Sequence, residues 1–495
     1  MTFRLGTIAK PNSSSKMPPF LSPMETIAAI STPPGRGGIG VVRLSGPDAL
    51  FIAGQLVQFQ HPPVHARAGR ARVLDPDDPS RTIDEAVVTA FLAPHSYTGD
   101  TLVEIAAHGS PVVLDALLRN ALSNGARLAM AGEFTQRSFL SGRLDLTQAE
   151  AIHDLIAAQT LDQVRVAAQQ LGGSLSRRVA PAKDQLVGLI VLLEAGMDFA
   201  SGELDDVDIV PGDQIAGTVA SIQHSLEKLA ASFRTGQILR NGAAIALIGS
   251  PNAGKSSLFN CLLVRDRAIV TPAPGTTRDT IEESFSLGGI PLRLMDTAGL
   301  RSGSVDEAAA VIDLAEEQGI ARSREALADA DLVVLIHDAT QPLTDLELEL
   351  ATSLTNRPHL IVHNKVDLLG EHTSAVRARP QHPLHKITGD PPDVILTSAL
   401  TGEGLDQLRR AILAELGASG SLIELGSLNN QRQQEAILAT LAALTSASAA
   451  NASSLPHELI LLDLHTALQA LDSLTGATTP DDILAGIFST FCIGK

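Results

Sequence analysis

The order of apolar and polar residues divides the chain into blocks of different period. Between residues 24 and 143, VVRLSG (41–46), AVVTAFLA (86–93) and LVEIAAHG (102–109) are short, apolar and β-branched, and they predict strands. SPVVLDALLRNALSNG (110–125) reads as a helix that stops at Gly125. Residues 24–143 therefore predict an α+β domain with its own core.

From Leu144 the period lengthens. LTQAEAIHDLIAAQTLDQVRVAAQQLGG carries apolar residues at helical spacing as far as Gly172 and Gly173. Further helical stretches fall near 175–198 and 212–240, and again at 428–446 and 456–475. A last short helix is expected from Thr479-Pro480-Asp481-Asp482, with Thr as N-cap, Pro at the first helical position and acids in the first turn. A segment of different character, 241–420, separates the helical blocks. The simplest architecture is one helical domain (144–240 with 421–495) into which an α/β domain is inserted. The fold class is thus multidomain α/β.

Composition bounds this picture. A chain of 495 residues with 44% hydrophobic content holds two to four domains. Two cysteines make no disulfide framework, which points to a reducing, cytoplasmic setting. No apolar run is long enough to span a bilayer. The net charge of −18 argues against general adhesion to nucleic acid, though not against a local basic patch. Residues 1–23 contain basic residues and serines but no acid. Pro18, Pro19 and Pro23 break any amphipathic helix there, so a disordered tail or extension is expected in place of a transit peptide.

Two glycine motifs compete. Gly35-x-Gly37-x-x-Gly40 has dinucleotide-binding spacing, but prolines precede it and a strand follows. The strand–loop–helix context is missing, so a turn between strands is expected. AAIALIGSPNAGKSSLFNCLL supplies that context: strand, loop, helix. Within it Gly249-x-x-x-x-Gly254-Lys255-Ser256 is a complete phosphate loop. Backbone N–H groups of Asn252, Ala253, Gly254 and their neighbours through Ser257 would cradle phosphates, Lys255 would reach the β/γ-phosphates, and Ser256 would ligate Mg2+.

The remaining motifs follow in order. Thr271-Pro272-Ala273-Pro274-Gly275-Thr276-Thr277 is a loop in which Thr277 can ligate Mg2+ and sense the γ-phosphate. PLRLMDTAGL ends a strand at Asp296-Thr297-Ala298-Gly299, with Asp296 acting on Mg2+ through water and Gly299 N–H on the γ-phosphate. Asn364-Lys365-Val366-Asp367 ends another strand. A carboxylate there accepts two guanine N–H groups at once, which adenine does not offer. Ser398-Ala399-Leu400 suits backbone contact with guanine O6. GTP is the expected substrate. Cys261, on the helix after the loop, is expected in the core.

These motifs resemble the translation-factor-related GTPases. GRGGIG, SYTGDTLVEIAAHG, GEFTQRSFLSGRLDLTQAEAIHDLI and FCIGK, with the inserted domain, narrow the resemblance to the MnmE (TrmE) family, from about Met24 to Lys495. The resemblance implies action with an FAD-dependent partner of the MnmG (GidA) family. Together they would add an aminomethyl or carboxymethylaminomethyl group to C5 of the wobble uridine of certain tRNAs. It implies an N-terminal folate-binding and dimerisation domain, a homodimer, and a heterotetramer with the partner. A tetrahydrofolate derivative (5-formyl or methylene) would meet Arg43, Glu104, Arg143 and Lys495. Phe488 and Phe491 would pin the last helix so that Cys492 and Lys495 face that site. Cys492 reads equally as a nucleophile toward uridine C6 or as packing.

The position after Asp296-Thr297-Ala298-Gly299 is Leu300, which cannot orient water as a glutamine does. The resemblance assigns that role to Glu316, with Glu317 and Glu307 as alternatives because the intervening segment is long. It also implies a potassium ion held by Asn252, Thr271, the Ala273 carbonyl and Thr276, standing where an arginine finger would act. The nearest arginine to serve as a finger instead is Arg301. Arg143 and Gln433 stand where the family pattern has lysine and histidine. The competing readings are a ribosome-assembly GTPase, which leaves the N-terminal domain and FCIGK unexplained, and a nicotinamide enzyme, which the failed glycine context excludes.

Overall fold

A computed structural model describes residues 25–200, 210–265, 282–296, 330–355, 357–370, 395–417, 426–477 and 481–494. The chain forms two compact units, Met1–Ala149 with Thr479–Lys495, and Glu150–Thr478.

Alternation builds the first unit. Strands β1 (Ile27–Ile30), β2 (Gly37–Ser45), β3 (Val57–Phe59), β4 (Ala68–Leu74), β5 (Thr82–Phe91), β6 (Leu102–Gly109) and β7 (Arg127–Leu128) form one sheet. Its order is β3-β4-β5-β6-β2-β1-β7. All pairs are antiparallel except β1 with β7. Val42 and Leu44 on β2 and Val103 and Ile105 on β6 point to the face covered by helices α1 (Ala49–Leu56) and α2 (Pro111–Ser123), which contribute Ile52, Leu114 and Leu117. Each such side chain, fully buried, contributes about 1.5–3 kcal/mol. The residues between them, including Arg43 and Glu104, face the other way. A third helix, α3 (Glu133–Leu140), packs with the terminal helix Asp481–Ser489, where the Phe139 and Phe488 rings lie 6.3 Å apart. The glycines of the first motif lie in the β1–β2 turn and in β2 itself, as the failed context requires.

The long helical run expected from 144 to 173 is instead two helices, α4 (Leu146–Ala157) and α5 (Leu161–Leu171). Thr160 interrupts it with a reciprocal cap. Its hydroxyl accepts from Gln163 N–H at 3.2 Å, and the Gln163 side chain accepts from Thr160 N–H at 3.1 Å. Likewise the 212–240 run divides at Ser232 into α7 (Gly212–Ala231) and α8 (Phe233–Asn241), after α6 (Ser174–Ala200).

In the second unit α6 and α7 pack with the later helices Gln431–Ala452 and His457–Thr475 around one core. Ile215, Val219, Ile222 and Leu226 meet Ile437, Leu444, Leu464 and Leu471 at helical spacing. The segment expected as the second helical half is divided, because its last residues belong to the first unit.

Between these helices stands the inserted sheet. Its strands are β8 (Ala243–Ile248), β9 (Glu282–Leu287), β10 (Ile290–Asp296), β11 (Leu332–Asp338), β12 (His359–Asn364) and β13 (Ile395–Leu396), in the order β13-β12-β11-β8-β10-β9. All pairs are parallel except β9 with β10. Helices α9 (Lys255–Arg265), α10 (Asp345–Ser353) and α11 (Leu405–Glu415) belong to it. Every residue of β8 is buried, the mark of a strand covered on both faces. After β8 the chain builds β10 on one side of it and then crosses to β11 on the other. The carboxyl end of β8 is therefore the switch point, where parallel sheets bind ligands.

Candidate functional site

The loop from Gly249 to Gly254 leaves β8 at that switch point and runs into α9. Gly249 has φ +145° and Gly254 φ +89°, conformations open to glycine. A Cβ at Gly249 would overlap the Ile336 carbonyl of β11, and one at Gly254 the Asn364 side chain. Asn252 is left-handed too, at φ +63°, and exposed. Lys255 is buried and folded back, its Nζ 2.9 Å from both the Gly249 and Ser250 carbonyls. Ser256 is half-buried on the first turn of α9, and Ser257 is exposed beside it.

Asn364 joins this loop to the Ser398–Leu400 loop. It is 1% exposed. Its Nδ2 donates to the Ala253 carbonyl at 3.0 Å, and its Oδ1 accepts from Ala399 N–H at 3.2 Å and from the Thr397 hydroxyl at 3.3 Å. Lys365 is left-handed, at φ +66°, and its Nζ pairs with Asp338 Oδ2 at 2.7 Å. Val366 is buried and Asp367 half-buried in the short turn that follows. Ser398 is buried, and Leu400 stands exposed at 85%. Cys261 is partly buried against the core and donates to the Ala399 carbonyl at 3.0 Å, so it ties α9 to the same loop. Asp296 ends β10, opposite Leu247 of β8.

Thr271 through Thr277, Thr297, Ala298, Gly299, Leu300, Arg301, Glu307, Glu316, Glu317 and Lys495 lie outside the described residues, as do residues 1–23.

In the first unit Arg43 and Glu104 are register partners on β2 and β6. Arg43 donates to Glu104 Oε1 from Nε at 3.0 Å and from Nη2 at 2.6 Å, and its Nη1 donates to the Gly494 carbonyl at 3.3 Å. The guanidinium carbon lies 5.5 Å from the Phe134 ring centre and 6.0 Å from that of Tyr97. Burial pushes the Tyr97 phenol up, although its hydroxyl is 2.9 Å from that of Thr135. Arg143 is exposed and donates to the Pro94 carbonyl at 2.6 Å, so its hydrogen bond does not go to this pair. The motif reading missed Tyr97, although it is the chain's one tyrosine.

The terminal segment is fixed by backbone contacts. Ile493 bridges to Ala131, the Ser31 hydroxyl donates to the Gly494 carbonyl at 3.1 Å, and Phe488 and Phe491 are buried. Cys492 itself is exposed.

Family models place the rest in context. The GTP-binding protein TrmE N-terminus model matches residues 26–143, and the MnmE helical domain model matches 146–492. A protein named tRNA modification GTPase MnmE from Koribacter versatilis (strain Ellin345) is 49% identical over 475 residues, covering 95% of this chain and 99% of that one. The chain belongs to the MnmE family. MnmE of Roseiflexus sp. (strain RS-1) is 41% identical over 481 residues and that of Aquifex aeolicus (strain VF5) 38% over 473, each covering 95% of this chain and at least 99% of its own length.

Against the MnmE pattern, Gln433 is accommodated without strain. It is fully buried, donates to Glu150 Oε2 at 2.9 Å and accepts from Asn429 N–H at 3.2 Å, while Arg432 Nε holds the other Glu150 oxygen at 2.7 Å. Beside it, Asp154, Gln163, Arg240 and Asn429 line a cavity of about 220 Å³ at the entry to β8. Burial pushes the Asp154 carboxyl up even though Arg240 Nε lies 2.7 Å away. Among the described residues, Asn429 Oδ1 has no partner there.

Proposed function

We propose that this chain binds and hydrolyses GTP at the β8–α9 loop and uses that cycle in tRNA modification. The observation that carries the reading is Asn364, which hydrogen-bonds the phosphate loop at Ala253 and the base loop at Ala399 together. Backbone N–H groups at the start of α9 would meet the phosphates, and Lys255 would exchange its two carbonyls for phosphate oxygens. Asp367 would accept both guanine N–H groups. Ser256 and Thr277 would hold Mg2+, and Asn252, Thr271, Ala273 and Thr276 a potassium ion. The left-handed, exposed Asn252 fits such a place, since its side chain is not committed to the core. These ions supply positive charge where charge develops on the transferred phosphoryl group. Glu316 is the proposed water-orienting residue, and Cys492 a candidate nucleophile.

The first unit would bind a tetrahydrofolate derivative. Glu104 would meet the pterin donor edge and Arg43, Arg143 and Lys495 its carboxylates or oxygen. The aromatic faces of Tyr97 and Phe134 beside Arg43 suit a flat heterocycle. The product would be an aminomethyl or carboxymethylaminomethyl group on C5 of the wobble uridine, made in the cytoplasm with an FAD-dependent MnmG-family partner, the chain acting as a homodimer within a heterotetramer.

Mass spectrometry of wobble uridines in a deletion strain tests the reaction. Unmodified C5 is the expected result, and normal nucleosides would sink it. Hydrolysis should run at least about tenfold faster in potassium than in sodium, a fraction of the ~10³–10⁵ that a finger supplies, and Asn252→Ala should lose that difference. Equal rates in the two salts would remove the potassium assignment.

A further inference from the structure

Behind the phosphate loop lies a buried polar cluster that none of the nucleotide motifs accounts for. β11 is apolar from Leu332 to Ile336 and then places His337 in the interior at 3% exposure. Its register partner on β12 is His363, also buried, and the two rings meet edge to face at 5.4 Å. Nδ1 of His337 is 3.2 Å from both carboxylate oxygens of Glu347, which is 1% exposed.

Glu347 sits in the first turn of α10. It accepts from Thr344 N–H at 3.1 Å, and Thr344 Oγ1 accepts from Glu347 N–H at 3.3 Å, which makes a capping box. A box of this kind is served by glutamine as well as by glutamate. The charge therefore needs a further reason, because a buried carboxylate is costly unless it is fully hydrogen-bonded. The further partner is His337. Burial opposes ionisation, yet those hydrogen bonds hold the Glu347 carboxyl below its ordinary range.

Ser250 is the second residue of the phosphate loop. Its hydroxyl is 2.9 Å from Thr344 Oγ1, and its carbonyl accepts from Lys255 at 2.9 Å. One end of the loop is thus held by Asn364 through Ala253. The other end is held at Ser250 by the Thr344 hydroxyl, and Thr344 is itself held by a buried carboxylate that a histidine fixes in place.

We propose that Glu347, braced by His337, is a positioning residue for phosphate binding, acting through Thr344 and the Ser250 hydroxyl on the first turn of the loop. This rests on the GTP-binding reading above. With the link broken, Gly249 and Ser250 lose their side-chain tether, and the loop N–H groups converge less well before the nucleotide arrives. GDP and GTP should weaken together, because both use the same loop. Preference for guanine should stay, because Asn364 and Asp367 are untouched.

The test is a double-variant cycle on the full chain, read as GDP affinity with a fluorescent analogue. Ser250→Ala and Glu347→Ala should each weaken GDP about tenfold, about the ratio one buried hydrogen bond carries. The double variant should be no weaker than the worse single, because both changes cut one link. Losses that multiply in the double variant would overturn the proposal. So would Ser250→Ala binding GDP as tightly as the parent, a result that does not depend on whether Glu347→Ala folds. A parent chain that does not bind GDP at all would overturn the GTP-binding reading, and this proposal with it.

Discussion

The two sheets put their chemistry in different places. In the first unit most strand pairs are antiparallel, one face is covered by α1 and α2, and every second residue is left for the other face. Arg43 and Glu104 are such residues, paired across neighbouring strands in mid-sheet. In the second unit the strands are mostly parallel and covered on both faces, so β8 and β11 have no room for exposed polar groups along their length. Among the described residues their candidate groups appear where strands end: the loop after Ile248, Asn364 after Val362 and His363, and Ser398 just past β13. Sheet topology therefore decides whether a site is made by strand faces or by strand ends. The same glycine spacing consequently means two things. In β2, Gly40 lies against the Leu114 side chain, whereas Gly249 lies against the backbone of β11.

That contrast can be broken, first at the strand end. Gly249→Ala forces a Cβ onto the Ile336 carbonyl and strains a φ of +145°. GTP binding should fall at least about 10²-fold, since two or three kcal/mol of strain falls on the cradle itself. A titration showing unchanged affinity would remove the loop from the site. Next in size, Asp367→Asn should move preference from GTP toward xanthosine triphosphate by about 10²-fold, because a recognition site rejects a ligand that leaves its polar groups unpaired. Competition between the two nucleotides measures it, and full GTP selectivity in the variant would end the guanine assignment.

The third test belongs to the first unit. Glu133 is buried and accepts from Arg127, Arg137 and Met130 N–H. Burial alone would raise its carboxyl, but the Arg127 hydrogen bonds and the neighbouring charges hold it below the ordinary range. A depressed carboxyl stabilises above its unfolded pKa, and that stability is lost as pH falls through the folded value. Glu133→Gln should cost about 1–3 kcal/mol at pH 7, and the gap from the parent should close as the medium becomes acid. Denaturation at several pH values reads this, and a gap that widened toward acid would contradict the network. The smallest effect is expected at Gly38, where a Cβ would meet nothing within 4 Å. Gly38→Ala should change stability and GTP binding by no more than about 0.5 kcal/mol, and a large loss there would erase the distinction between the two glycine motifs.

Much of this was legible in the chain itself. The phosphate loop needs a buried strand before it and a helix after it, and AAIALIG and KSSLFNCLL supply both within a few residues. Asn364 was legible as a member of the Asn364–Asp367 motif, but not as the group that ties Ala253 to Ala399, because that link joins residues distant in sequence. The break at Thr160 was not legible, because helical spacing continues past it. A capping box with Gln163 outweighed the apolar periodicity. Glu347 belongs to none of the motifs, and only the fold brings His337 against it. Tyr97 and Phe134 were hidden for the same reason, since each meets Arg43 from a different part of the chain.

The bridge between Ile493 and Ala131, with Gly494 received by Ser31 and Arg43, also sets an order of assembly. During translation the ribosome delivers the strands of the first unit early, but the residues that complete its packing come hundreds of codons later. The whole second unit can fold in the interval. The first domain made is thus the last one finished, and until then Phe139 waits without the Phe488 ring that meets it. Cells that make this protein at high rates would be expected to hold that half-built sheet on a chaperone, and ribosome-bound intermediates stalled before codon 481 should be the species most easily captured there.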